Sequence, residues 1–74
     1  MSKLPRGISG RELVRYLTKK GFVVRNISGS HAVMKSESAL VTVPLHEELD
    51  TGTLLGILEG AKINRDDFIQ EWRN

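Results

Sequence analysis

The stretch Ile27-Ser28-Gly29-Ser30-His31-Ala32-Val33-Met34 constrains this chain most, because it sets a glycine between two runs of strand-forming residues. Gly29 accepts a positive φ without steric cost, so the Ser-Gly pair reads as a hairpin turn joining Phe22–Ile27 to His31–Met34. His31 then stands at the mouth of the hairpin, on the first residue of a strand. Imidazole is the side chain that takes and gives protons near neutral pH, which makes His31 the best acid–base candidate in the chain. The same position also suits an ordinary solvated histidine, and spacing alone does not separate the two.

The flanking segments supply helices. Ser9-Gly10-Arg11-Glu12 is a capping box, with Ile8 and Leu13 at the two positions of a hydrophobic staple, and it predicts a helix from about Ser9 to Lys20. Leu13, Val14 and Leu17 fall on one side of that helix, while Arg11, Arg15 and Lys19 follow one another at spacing four along another. Gly21 is the expected left-handed stop, with Phe22 folding back towards Leu17. After the hairpin, Ser36-Glu37-Ser38 is a polar turn and Leu40-Val41-Thr42-Val43 a third strand ended by Pro44. Strand alternation puts Ala32, Met34, Val41 and Val43 on the core face. Arg25, His31, Lys35 and Thr42 then share the open face, with Val33 and Leu40 exposed and with Asn26 spoiling the alternation of the first strand. Asp50 or Thr51 caps a second helix carrying Leu54, Leu55, Ile57, Leu58 and Ala61. Asn64 caps a short last helix whose Phe68, Ile69 and Trp72 form its apolar side; Trp72 is expected as a core or partner-facing anchor. The pattern is α+β: helix, three antiparallel strands, helix and a short C-terminal helix, with the helices on one face of the sheet.

With 74 residues there is room for one domain, spanning residues 1–74, and for a small core. The absence of cysteine excludes disulfides and thiolate zinc sites, and no metal or other cofactor is expected. No apolar run approaches the roughly 20 residues that span a bilayer, and Met1-Ser2-Lys3-Leu4-Pro5-Arg6 lacks the apolar segment of a secretory signal. A cytoplasmic protein with no membrane partner is therefore expected. The net charge of +2 hides an asymmetry: eight Lys or Arg and one acid precede Glu37, and eight acids and three bases follow from it. A basic half points to an anionic partner such as nucleic acid, although such runs also serve simply as solvated surface. His46, in the polar loop Pro44–Asp50, reads most simply as solvated.

Several of these residues recur together in a known family. Gly21-Phe22, Gly29-Ser30-His31, Val41-Thr42-Val43-Pro44-Leu45-His46 and Leu49-Asp50-Thr51-Gly52-Thr53-Leu54-Leu55-Gly56-Ile57-Leu58 resemble the HicA family of type II toxin–antitoxin mRNA interferases, from Ser9 to Phe68. The resemblance implies a fold like a double-stranded-RNA-binding domain, cleavage of mRNA, neutralisation by a HicB-type antitoxin, and His31 as the catalytic residue. Phosphate contacts would then fall to Arg11, Arg15, Lys19, Lys35 and Arg25, with Gly29 and Ser30 orienting the scissile group. Contacts of that kind carry little sequence information. The chain departs from the family pattern at Ala32, where a further histidine or large residue is common, and at Ala61-Lys62-Ile63, where Ala-Gly-Ile is common. Lys62 must therefore accept a turn usually given to glycine. A different class of reading also fits the residues: a non-catalytic RNA-binding module or a protein-interaction domain of the same fold.

Overall fold

Helix α1 (Gly10–Lys19) begins where the capping box places it. Glu12 N donates to Ser9 Oγ at 3.1 Å and Ser9 N donates to Glu12 Oε1 at 2.9 Å, so two orphan donors are satisfied reciprocally. These bonds hold the Glu12 carboxyl below its usual value. Ile8 and Leu13, the two staple positions, are both buried in the core. At the other end Gly21, at φ +97°, closes a Schellman motif: Phe22 N donates to Leu17 O at 3.0 Å and Gly21 N to Thr18 O at 3.2 Å. Phe22 is thus spent on the helix cap and buried. The first strand starts one residue later than the sequence predicts.

The computed structural model describes residues 4–72, so expectations resting on Met1, Ser2, Lys3 or Arg73 lie outside the described residues. Strands β1 (Val23–Ser28), β2 (His31–Lys35) and β3 (Leu40–Pro44) form an antiparallel sheet in the order β1-β2-β3. Ser28 pairs with His31, leaving Gly29-Ser30 as a two-residue turn. Gly29 has φ +59° and Ser30 is not left-handed, the signature of the type II′ turn that suits a twisted hairpin. Val24 pairs with Met34 and Asn26 with Val33, so Arg25 is the extra residue of a β-bulge. The bulge is why Asn26 breaks the alternation. It also interrupts an edge strand whose residues are all exposed, blunting a surface otherwise open to strand pairing.

The expected parity holds in β2 and β3. Ala32, Met34, Val41 and Val43 are buried, His31, Lys35 and Thr42 are exposed on the other face, and Leu40 is 55% exposed, whereas Val33, on the central strand between two neighbours, is half-buried and not exposed as expected. Helices α1 and α2 (Thr51–Gly60) pack on the buried face. Asp50 is the cap of α2, its Oδ1 accepting from Thr53 N at 2.7 Å. Lys62 takes up φ +60° beyond the end of α2, where Lys62 N reaches Glu59 O and Ile63 N reaches Leu58 O in a second Schellman pattern.

Asn64 caps α3 (Arg65–Trp72), accepting from Asp66 N at 2.8 Å and Asp67 N at 3.1 Å. Phe68 is fully buried, with the Tyr16 ring edge-on to it at 4.9 Å, and half-buried Trp72 packs on Phe68 at 5.2 Å. Trp72 is thus a core anchor. Tyr16 donates from its hydroxyl to Glu71 Oε1 at 2.7 Å, and Lys20 pairs with the same carboxylate, fastening α3 to α1. Burial first, then the Glu71 hydrogen bond, pushes the Tyr16 hydroxyl pKa up. The result is an α+β fold like a double-stranded-RNA-binding domain, with an open sheet face.

Candidate functional site

The site is assembled by main-chain bonds around the segment that follows β3. Leu45 N donates to Ser30 O at 2.6 Å, which ties the segment to the β1–β2 turn. Gly10 N donates to His46 O at 2.9 Å, so an orphan N–H of the α1 N-terminus is satisfied by the loop. Leu49 N donates to Ile8 O at 2.8 Å and completes the clamp. The close approach at Gly10 requires a glycine: a Cβ there would be driven into the Pro44 carbonyl oxygen and would lie 2.8 Å from Leu45 Cα.

This clamp brings the two histidines together. His31 pairs with Pro44 across β2 and β3, and His46 lies two residues further on. Their ring centroids are 6.3 Å apart, with the planes inclined at 69°. Both residues are exposed. Asp50 completes the corner: its carboxyl is held below the usual value mainly by its bonds from Thr53, with a smaller contribution from His46. Exposed imidazoles in this arrangement can exchange protons with a bound substrate, and nearby cations can hold an anionic one.

The other residues singled out from the sequence are dispersed around this corner. Gly29 and Ser30 form the turn next to His31, and the Ser30 carbonyl is occupied by Leu45. Arg11 follows Gly10 at the start of α1, the helix end that the His46 carbonyl holds. Arg15 and Lys19 lie about 6 and 12 Å further along the axis at 1.5 Å per residue. They line a groove of about 310 Å³ between α1 and α3 that also contains Glu12, Tyr16, Glu71 and Trp72. Lys35 shares the open face with His31 but sits at the far end of β2, about 13 Å away at strand rise. Arg25 projects from the bulge on the edge strand. The basic residues are thus spread over α1, the bulge of β1 and the far end of β2.

His46, read from the sequence as most simply solvated, is the residue that the structure brings beside His31. Hairpin register accounts for that placement: strands joined by a short turn at Ser36–Ala39 put position 44 opposite His31, and hence His46 just beyond it. Among the described residues no three His, Cys, Asp or Glu side chains gather as a metal-binding set. Nor is any helix among them long and apolar enough to cross a membrane.

The family model of the HicA toxin of bacterial toxin–antitoxin systems matches residues 10–63, a span that includes the Gly29-Ser30-His31 turn and His46 and stops before α3. A chain of a solved toxin–antitoxin complex from Streptococcus pneumoniae is 33% identical, with a TM-score of 0.65, over 74% of this chain and 97% of that one. No curated protein sequence matches. With the family model covering most of the sequence and its fold shared by a solved relative, the chain belongs to the HicA family, toxins of bacterial toxin–antitoxin systems.

Proposed function

We propose that this chain acts in the cytoplasm as a single-domain, metal-independent endoribonuclease that cleaves mRNA and is neutralised by a HicB-type antitoxin. The observation that carries the reading is the placement of His31, exposed at the mouth of the β1–β2 turn, on the open face of a sheet whose other face is sealed by helices. RNA brings its own nucleophile, the 2′-hydroxyl. A histidine that takes its proton, or that gives one to the leaving oxygen, and cations that stabilise the phosphate charge are sufficient for cleavage. Arg11, Arg15, Lys19, Arg25 and Lys35 are the phosphate-binding residues in this reading, and the Gly29-Ser30 turn orients the scissile group. Because these groups meet backbone rather than base edges, sequence preference is weak. The antitoxin covers the same basic surface and occludes His31; family membership supports this, as does the solved relative's origin in a toxin–antitoxin complex.

The test is His31→Ala, assayed on partner-free protein with RNA in the presence of a chelator. Cleavage falls by about 10² to 10⁴-fold, the usual size of a general acid–base contribution. RNA affinity persists, and stability changes by no more than about 0.5 kcal/mol, as for an exposed side chain outside caps and networks. A folded variant that cleaves at the wild-type rate refutes the assignment.

A further inference from the structure

Cleavage through the 2′-hydroxyl moves two protons. One leaves the 2′-oxygen as that oxygen attacks phosphorus, and another reaches the 5′-oxygen as its bond to phosphorus breaks. In an in-line displacement these two oxygens stand on opposite sides of the phosphorus, so a group placed to serve one is badly placed to serve the other. His31 occupies one station.

We infer that His46 is the second catalytic histidine of this site: the two imidazoles straddle the scissile phosphodiester, one taking the 2′ proton and the other giving a proton to the 5′-oxygen. This rests on the ribonuclease reading above. The P–O2′ bond forms and the P–O5′ bond breaks, leaving a 2′,3′-cyclic phosphate on one fragment and a 5′-hydroxyl on the other. One ring ends with a proton more and the other with a proton fewer, and exchange with water restores both.

Three observations support the assignment. The ring centroids are 6.3 Å apart, so a single phosphodiester group lies within reach of both exposed side chains. Neither ring is engaged in a hydrogen bond among the described residues, although both are exposed, so neither is committed to holding the fold. His46 is also positioned by its carbonyl, which Gly10 N holds, and by the Leu45–Ser30 bond beside it; a residue fixed through its backbone presents its side chain at a defined place. The charged groups nearest to His46 in the loop are Glu47 and Glu48, which follow it in sequence, and Asp50 at the head of α2, whose carboxyl it helps to hold low. They set the electrostatic background of any pH profile.

The experiment compares wild type with His31→Gln, His46→Gln and His46→Ala, all as the partner-free full chain in chelator. Single-turnover cleavage is followed across pH on ordinary RNA and on RNA with sulfur in place of one 5′-bridging oxygen. A thiolate leaves without needing a proton. Melting temperature and RNA affinity are measured on the same preparations, and both His46 variants keep the main-chain bonds of the loop. Expected is wild-type folding and affinity for the His46 variants, a rate lower by about 10²-fold or more, and a bell-shaped pH profile that loses one limb. Of the two Gln variants, the one lacking the acid regains its rate on the sulfur substrate and the other does not. A folded His46 variant with wild-type rate and both limbs overturns the inference, as does an equal response of both Gln variants to sulfur. An active wild type beside undiminished His46 variants overturns only this inference. A folded wild type that leaves RNA intact overturns the ribonuclease reading together with it.

Discussion

Gly10→Ala puts the assembly of the site under direct test. Two effects oppose each other. Alanine in place of glycine favours a helix by up to about 1 kcal/mol, and less at a first helical position. Against this, the new methyl group would be driven into the Pro44 carbonyl oxygen and lie 2.8 Å from Leu45 Cα. Carbon contacts are comfortable at about 3.5–4.0 Å, so the α1 N-terminus and the loop must separate by roughly 1 Å. The obstacle is main chain, which cannot swing aside as a side chain would. Overpacking of this kind costs about 1–3 kcal/mol. The Gly10–His46 hydrogen bond, 2.9 Å long, stretches out of range and forfeits about 1 kcal/mol more. Destabilisation wins by roughly 1–3 kcal/mol, which for a domain of this size lowers the melting temperature by roughly 5–20 °C. Thermal unfolding by circular dichroism measures this directly. Cleavage at a temperature where the variant is fully folded should also fall, because His46 has moved relative to His31. An unchanged or raised melting temperature would refute the reasoning, since helix propensity alone would then describe Gly10.

Lys62→Gly should raise stability by about 0.5–1 kcal/mol, because relief of the left-handed strain at φ +60° exceeds the added entropy of the unfolded chain; a lower melting temperature would contradict this. Glu12, Asp50 and Glu71 have carboxyls held below their ordinary values of 4.5, 3.8 and 4.5, so the stability they contribute is present above those values and is lost as pH falls through the lower folded-state ones. The melting temperature should therefore hold from neutrality to about pH 5 and fall below it, and Glu71→Gln should make that acid limb shallower; identical limbs would exclude a role for the Lys20–Glu71–Tyr16 latch. Charge reversal at Arg15 and Lys19 should weaken RNA binding and flatten its salt dependence by about 1.4 in log–log slope, and an unaltered slope would take the phosphate track off α1.

Much of this fold is legible in the sequence because its signals are local. The Ser9–Glu12 box, the Gly21 stop, the Gly29 turn and the Asp50 and Asn64 caps each act within a few residues, and each is found where its chemistry puts it. The displaced start of β1 shows the limit, because Phe22 could join either the strand or the helix cap, and the Leu17 carbonyl decided it. Tyr16 was silent for a related reason. Its burial depends on α3 arriving with Phe68, Glu71 and Trp72, more than fifty residues later. Placement divides in the same way: His31 at the mouth of the hairpin was legible from its own turn, whereas the approach of His46 to it depends on cross-strand register and on the glycine that admits the loop. Arg11, Arg15 and Lys19 are exposed along one side of α1 as their spacing predicts, but helical spacing gives the side of a helix without giving its distance from His31.

The loop that presents His46 is gripped through Leu45 N, the His46 carbonyl and Leu49 N, groups common to nearly every amino acid. Its shape is consequently almost indifferent to the side chains it displays. Natural variation can thus explore other residues at the neighbouring Glu47 and Glu48 without first solving a folding problem. Gly10 carries the opposite burden, since its own substitution disturbs every variant alike. In a lineage of such proteins, diversity should therefore accumulate at Glu47 and Glu48 and be purged at the glycine beneath the loop, whereas His46 is held by its chemistry alone.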